Sequence, residues 1–214
     1  MPGLGNRLKF ALAGEVLETV NPLLPGRPHD ALIRLVERGH VEHVLELCAG
    51  TGYASRLLAD RRPEIQATAV DLSPEMIAVG RRKVAAQGIV NLTLAEGDIA
   101  DLPYPDDSFD TVMSVFGLHE VPTAVRDSAI RESARVLVPG GRIVIIDLDR
   151  PVLTGLLMDA YLLVMEPQHA RAVCGRGLVE LLAKSGFTIS HHDPAGSLGM
   201  TQSIIATLEA APEP

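Results

Sequence analysis

A chain of 214 residues, 47% hydrophobic and 21% charged, suits one sizeable domain with a full core and a soluble surface. Acids outnumber bases 27 to 19 for a formal net charge of -8, and the densest basic run, Arg81-Arg82-Lys83, reads as solvated helix surface, so nucleic acid is disfavoured as a partner. Two cysteines, Cys48 and Cys174, fit free thiols in a reducing compartment; Glu15 and Asp159 interrupt the apolar stretches 10–14 and 151–165, so neither a signal peptide nor stable membrane insertion is expected and the reading is cytoplasmic.

In chain order, a helix is expected over 28–38 and a short apolar strand over 41–47. A helix over 53–61 and a strand over 65–71 follow. Ser73 caps the next helix, because Ser73-Pro74-Glu75 puts proline in the first turn and an acid near the positive end of the dipole. Gly88 stops that helix after residue 87. Strands over 91–95 and 109–115, a helix over 123–137 and a Pro139-Gly140-Gly141 turn lead into a β-branched strand over 142–148. This alternation implies an α/β fold with a mainly parallel sheet covered on both faces. Beyond 148 the pattern changes. Residues 150–172 are apolar and helical in period, 177–185 form a helix ended by Gly186, and 187–192 and 203–208 read as two last strands.

The loop Cys48-Ala49-Gly50-Thr51-Gly52 follows the first strand, where a parallel sheet opens its ligand crevice. Its glycines allow a sharp turn and close approach to a ligand, although an ordinary strand-to-helix turn would look the same. Asp71 ends the second strand 21 residues after Gly50, placed to accept ribose hydroxyls, and Asp98 follows the third strand, placed to bond an adenine amine. With Glu46, that puts an acid after each of three consecutive strands. A nicotinamide dinucleotide is a poor match: its fingerprint wants glycine where this chain has Cys48 and Tyr53, and its pyrophosphate repels acids.

The segments VLELCAGTG (44–52), AVDLSPEMI (69–77), EGDIADLPYPDDSFDTV (96–112) and RVLVPGGRIVIID (135–147) together resemble class I S-adenosylmethionine-dependent methyltransferases, in particular the group containing the ubiquinone/menaquinone biosynthesis methyltransferases. The resemblance implies one domain over 1–214 with a Rossmann-like, doubly wound, seven-stranded and mostly parallel sheet whose last strand is antiparallel. It implies S-adenosyl-L-methionine as cofactor and S-adenosyl-L-homocysteine as product. Glu46, Cys48, Ala49, Gly50, Thr51 and Gly52 would form the loop at the methionine moiety. Asp71 would hold the ribose, with Leu72 and Met76 beside the adenosine and Asp98 and Ile99 at the adenine. Ser114, Val115 and His119 would line the floor after the fourth strand. Cys48 stands where the family has its first glycine, and a shifted backbone is expected there.

Methyl transfer needs mainly alignment and a dry site, and an acidic acceptor must also lose a proton. His119 is the expected base, or else a cofactor contact or helix cap. His191-His192-Asp193 looks like a metal or acid/base cluster, but neighbouring strand residues face opposite ways. Cys174 has no partner at ligand spacing, so no metal is expected. Residues 150–173 are expected either to cap the substrate, with Leu157, Tyr161 and Met165 toward it, or to pack as a core helix or homodimer face. Residues 1–27 are expected as a lid. The acceptor read from these walls is a small, moderately apolar metabolite; a quinone or lipid methyltransferase and a non-catalytic cofactor-binding regulator or partner subunit are the alternatives. The place after the fourth strand reads Ser114-Val115-Phe116-Gly117, unlike the Asn/Asp-Pro-Pro-aromatic loop of amino-methylating nucleic-acid enzymes.

Overall fold

The computed structural model describes residues 4–149, 169, 172–194 and 200–209, with side chains from residue 12 onward. Its strands are β1 (His43–Leu47), β2 (Gln66–Asp71), β3 (Leu92–Glu96), β4 (Phe109–Val115), β5 (Leu137–Leu148), β6 (Phe187–Asp193) and β7 (Thr201–Leu208). Its helices are α1 (Leu4–Val20), α2 (Pro28–Val36), α3 (Tyr53–Arg61), α4 (Pro74–Gln87), α5 (Thr123–Val136) and α6 (Gly177–Lys184). The seven strands make one sheet in the order β3-β2-β1-β4-β5-β7-β6. The first five pair in parallel, and β7 lies antiparallel between β5 and β6.

Both faces of the sheet are buried, which is why the central strands are apolar almost throughout. On one face Val44, Ala67, Ala69, Met113 and Val144 pack under α2, α3 and α4 through Leu32, Leu58 and Ile77. On the other, Leu45, Leu47, Val112, Ile143 and Ile145 pack under α5 and α6 through Ile130 and Leu182. The local signals act as read. Ser73 Oγ accepts the Met76 N–H at 3.3 Å, and Gly88 ends α4 at a φ of 68°.

One expectation changes. Pro139-Gly140-Gly141 is not a turn before β5 but a bulge within it: pairing runs from Phe109↔Leu137 to Thr111↔Arg142, and the extra residues loop out around Gly140 at φ 79°. Arg81 and Arg82 are exposed on α4, as expected of solvated helix surface, and the cluster also makes contacts. Arg81 donates to the Leu94 carbonyl at 2.7 Å, and Arg82 and Lys83 pair with Glu15 of α1 at 2.7 and 3.2 Å. The expected cap over 150–173 lies almost wholly outside the described residues, and Leu157, Tyr161 and Met165 with it. Among the described residues no helix is long and apolar enough to cross a membrane.

Candidate functional site

The sheet order reverses between β1 and β4, and a sheet of this kind places its ligand crevice there, beyond the carboxyl ends of the strands. The loop leaving β1 turns with left-handed backbone at alternate residues, at φ 51° for Cys48, 55° for Gly50 and 67° for Gly52. Cys48 therefore takes the left-handed conformation that favours glycine. Room for the cysteine comes from Gly117 after β4: a Cβ at 117 would sit 2.2 Å from Cys48 Cβ. A Cβ at Gly50 would meet nothing within 4 Å, so the backbone there faces open space.

A buried carboxylate and a half-buried one hold this loop. Glu46 accepts the Ser55 N–H at 3.0 Å and the Ser55 hydroxyl at 2.5 Å. It thereby caps α3, whose own N-cap, Gly52, has no side chain to do so. Burial pushes the Glu46 carboxyl up to about 7, against the pull of the Ser55 bonds. Asp71 accepts the Gly50 N–H at 2.7 Å through one oxygen and the Ser73 N–H at 2.8 Å through the other. It ties the β1 loop to the start of α4, and burial pushes its carboxyl above the usual range. Each oxygen keeps a further lone pair for a ligand hydroxyl.

The N-terminal helix crosses the back of the loop. Glu18 of α1 accepts the Thr51 hydroxyl and pairs with Arg56 of α3 at 2.5 Å. Arg56 is 4% exposed and also donates to Gln87 of α4 at 3.1 Å. Gly14 lets α1 sit close on α4, since a Cβ there would lie 3.1 Å from Val79 and 3.2 Å from Met76. Tyr53, where a dinucleotide site would want glycine, packs edge-on to His29 with centroids 4.9 Å apart.

After β4 the chain turns inward at His119. The ring is buried, and its Nδ1 lies 2.6 Å from Asp147, a wholly buried acid near the end of β5. Asp147 also accepts the Leu118 N–H at 3.0 Å and the Leu148 N–H at 2.7 Å. Arg126 of α5, 2% exposed, braces the same turn by donating to the Leu118 and Val121 carbonyls at 2.9 Å each.

The structure thus brings Glu46, Cys48, Ala49, Gly50, Thr51, Gly52, Asp71 and the His119 turn to one sheet end. Leu72 stands 72% exposed beside Asp71, whereas Met76 is buried against α1 near Gly14. Asp98 is exposed and closes an Asx-type turn onto the Ala100 N–H at 2.9 Å, while Ile99 is buried beneath it. Ser114 and Val115 do not form one floor through their side chains, because Val115 packs with the α2 and α3 core and Ser114 projects to the opposite face. His191 bonds Ser203 at 3.2 Å within the sheet. The sequence reading missed Asp147, Glu18, Arg56 and Gly117. Only Asp147 had a visible signal, an acid closing the β-branched run 143–146.

The residues present fit a cationic nucleoside. The Ser114 hydroxyl is buried without a hydrogen-bond partner, Gly50 opens onto free space, and acids including Asp71, Asp147 and Glu46 surround the head of the loop, with Arg56 matched by Glu18. Residues 44–141 match the family described as a methyltransferase domain. The demethylmenaquinone methyltransferase of Listeria monocytogenes is 40% identical over 114 residues, 53% of this chain and 47% of its own length. The chain thus spans about half the length of the curated relatives it matches. Among solved structures, an S-adenosylmethionine-dependent methyltransferase from Aquifex aeolicus superposes with a TM-score of 0.69 at 20% identity, covering 91% of this chain and 98% of that one. The [4+2]-cyclase SpnF superposes at 0.73 and 20% identity, covering 87% and 81%. These two likenesses establish the fold.

Proposed function

We propose, for a chain related to the class I S-adenosylmethionine-dependent methyltransferases of the ubiquinone/menaquinone group, that it transfers the methyl group of S-adenosyl-L-methionine to a small, moderately apolar acceptor. The observation that carries this reading is Asp71, held by the Gly50 and Ser73 N–H groups where the sheet order reverses and left with lone pairs for a ribose. When bound, the cofactor supplies a methyl on a positively charged sulfur, which leaves as a neutral thioether with the carbon–sulfur bonding pair. The chain's own task is alignment. Glu46 fixes the loop through Ser55, Asp71 orients the nucleoside, the Ser114 hydroxyl awaits a partner, and exposed Leu72 offers an apolar surface to the adenosine. Cys48 in the glycine conformation supports the enzymatic reading over a non-catalytic binding subunit. The acidic balance supports a small molecule over nucleic acid as acceptor. The name of the Listeria relative makes a demethylated quinone the first acceptor to assay.

The test has two parts. Calorimetry with S-adenosylhomocysteine should show binding to the parent chain and at least tenfold weaker binding to Asp71→Ala, a loss of about 1.4 kcal/mol or more. Radiolabelled methyl transfer is then followed to demethylmenaquinone and a panel of apolar metabolites, with inhibition by S-adenosylhomocysteine. A parent chain that binds no S-adenosylhomocysteine would sink the reading.

A further inference from the structure

We infer that a groove between α2 and the β7–β6 end of the sheet is a second ligand site, one that takes a small monocarboxylate with an apolar body. The cavity measures about 270 Å³. Leu35 of α2 and Ile146 of β5 form its apolar floor, and Arg34, Arg38, His191, Asp193 and Ser203 stand around it. The groove uses β5, β7 and β6, and β4 separates these strands from β1, which carries the cofactor loop.

The arginines carry the argument. Arg34 lies in the last turn of α2 and Arg38 follows four positions later, and both line the groove. The carbonyl end of a helix favours positive charge there, but it does not engage the guanidinium heads. Every other arginine whose side chain is described has an acid, a carbonyl or a hydroxyl as partner. The heads of Arg34 and Arg38 have none among the described residues. In a chain of net charge -8, the two unmatched cations thus share one cavity.

The rest of the lining selects the guest. Asp193 is the acid among the described lining residues, so with His191 neutral two guanidinium charges against one carboxylate leave one positive charge to be matched. That balance suits a monoanion better than a phosphate dianion. A guanidinium also presents paired N–H donors that fit the two oxygens of a carboxylate. His191 and Ser203, bonded at 3.2 Å, make the facing wall polar, while buried Leu35 and Ile146 offer the floor to a short hydrocarbon.

Hexanoate is the probe, with hexanol, hexylammonium and inorganic phosphate as controls. Titrated into the parent protein at neutral pH, hexanoate should shift the His191 ring and Ile146 methyl NMR signals saturably, with a Kd on the order of 1 mM. The double variant Arg34→Ala with Arg38→Ala should bind it at least about tenfold more weakly and keep the parent's melting temperature, because both side chains are exposed. Arg34→Lys with Arg38→Lys should recover part of the affinity, since the charge returns without the fork. Hexanol and hexylammonium should leave the signals in place. Shifts that do not saturate, that persist unchanged in the double alanine variant, or that hexanol reproduces overturn the site. Phosphate bound as tightly as hexanoate overturns its assignment to a monocarboxylate. No readout involves S-adenosylmethionine, so the result stands apart from the methyltransferase reading.

Discussion

Two buried ionisable groups oppose each other in pH. Burial lowers the His29 ring from 6.5 to about 4, so the unfolded chain takes up a proton that the folded chain refuses. Stability from His29 is full above pH 6.5 and is lost as pH falls to 4. Burial raises Glu46 from 4.5 to about 7, so its stability is full below pH 4.5 and is lost as pH rises to 7. Each slope is worth up to about 3 kcal/mol. Glu46→Gln should leave the His29 slope, giving a melting temperature that climbs with pH between 4 and 6.5. His29→Phe should leave the opposite one. Thermal melts across pH 4 to 8 decide it, and two variants with the parent's profile would refute the assignment. Cys48 and Gly117 form a second coupled pair. Gly117→Ala should cost roughly 1–3 kcal/mol alone and clearly less in a Cys48→Gly background, where the 2.2 Å clash is gone. The sequence marks position 48 as a departure. It cannot mark its remedy, because the two residues approach only after β1 and β4 pair.

At the scale of elements, caps and breakers were legible because they act within a few residues: Ser73, Gly88 and Gly186 bound their helices where the pattern places them. The Pro-Gly-Gly bulge was not, since the same residues serve a turn or a bulge and only the pairing with β4 chooses. Nor was the seat of α1. Its anchor is a side chain 38 positions from its partner: Glu18 pairs with Arg56 while also taking the Thr51 hydroxyl. Glu18→Ala leaves a buried guanidinium unmatched and should cost about 3–5 kcal/mol. It should also weaken S-adenosylhomocysteine binding, because Thr51 belongs to the loop, and hasten tryptic cleavage at Arg7 and Lys9. The double variant Glu18→Leu with Arg56→Met should be the more stable of the two. If Glu18→Ala leaves both cleavage and affinity as they were, α1 is not a clamp on the loop.

For the molecule as a whole, seven strands are shared by two apolar layers, so neither layer can melt without exposing the other face of the same sheet. Calorimetric unfolding of the described fold should be one transition. S-adenosylhomocysteine at a hundred times its Kd should add about 2.7 kcal/mol, or roughly 5–10 °C in melting temperature, by binding the folded state alone. Asp71→Ala should show little of that shift. The order of elements could be read from periodicity, because each strand is a run of its own. The His119–Asp147 approach could not, because it joins two strand ends 28 positions apart.

The cysteine at the head of the loop has one more consequence, in its reactivity. Burial pushes the Cys48 thiol far above the usual range, and the nearby charges of Asp71, Asp147, Glu120 and Glu46 push it further. Only the thiolate is a nucleophile, so a thiol held protonated in this way should react slowly even though Cys48 is half-buried and not fully covered. Peroxide or iodoacetamide at neutral pH should leave Cys48 unmodified in the folded protein, as peptide mass mapping would show. A side chain tolerated in a glycine's conformation thus brings no oxidative weakness to the loop, and the crevice stays serviceable where an exposed thiol would be lost.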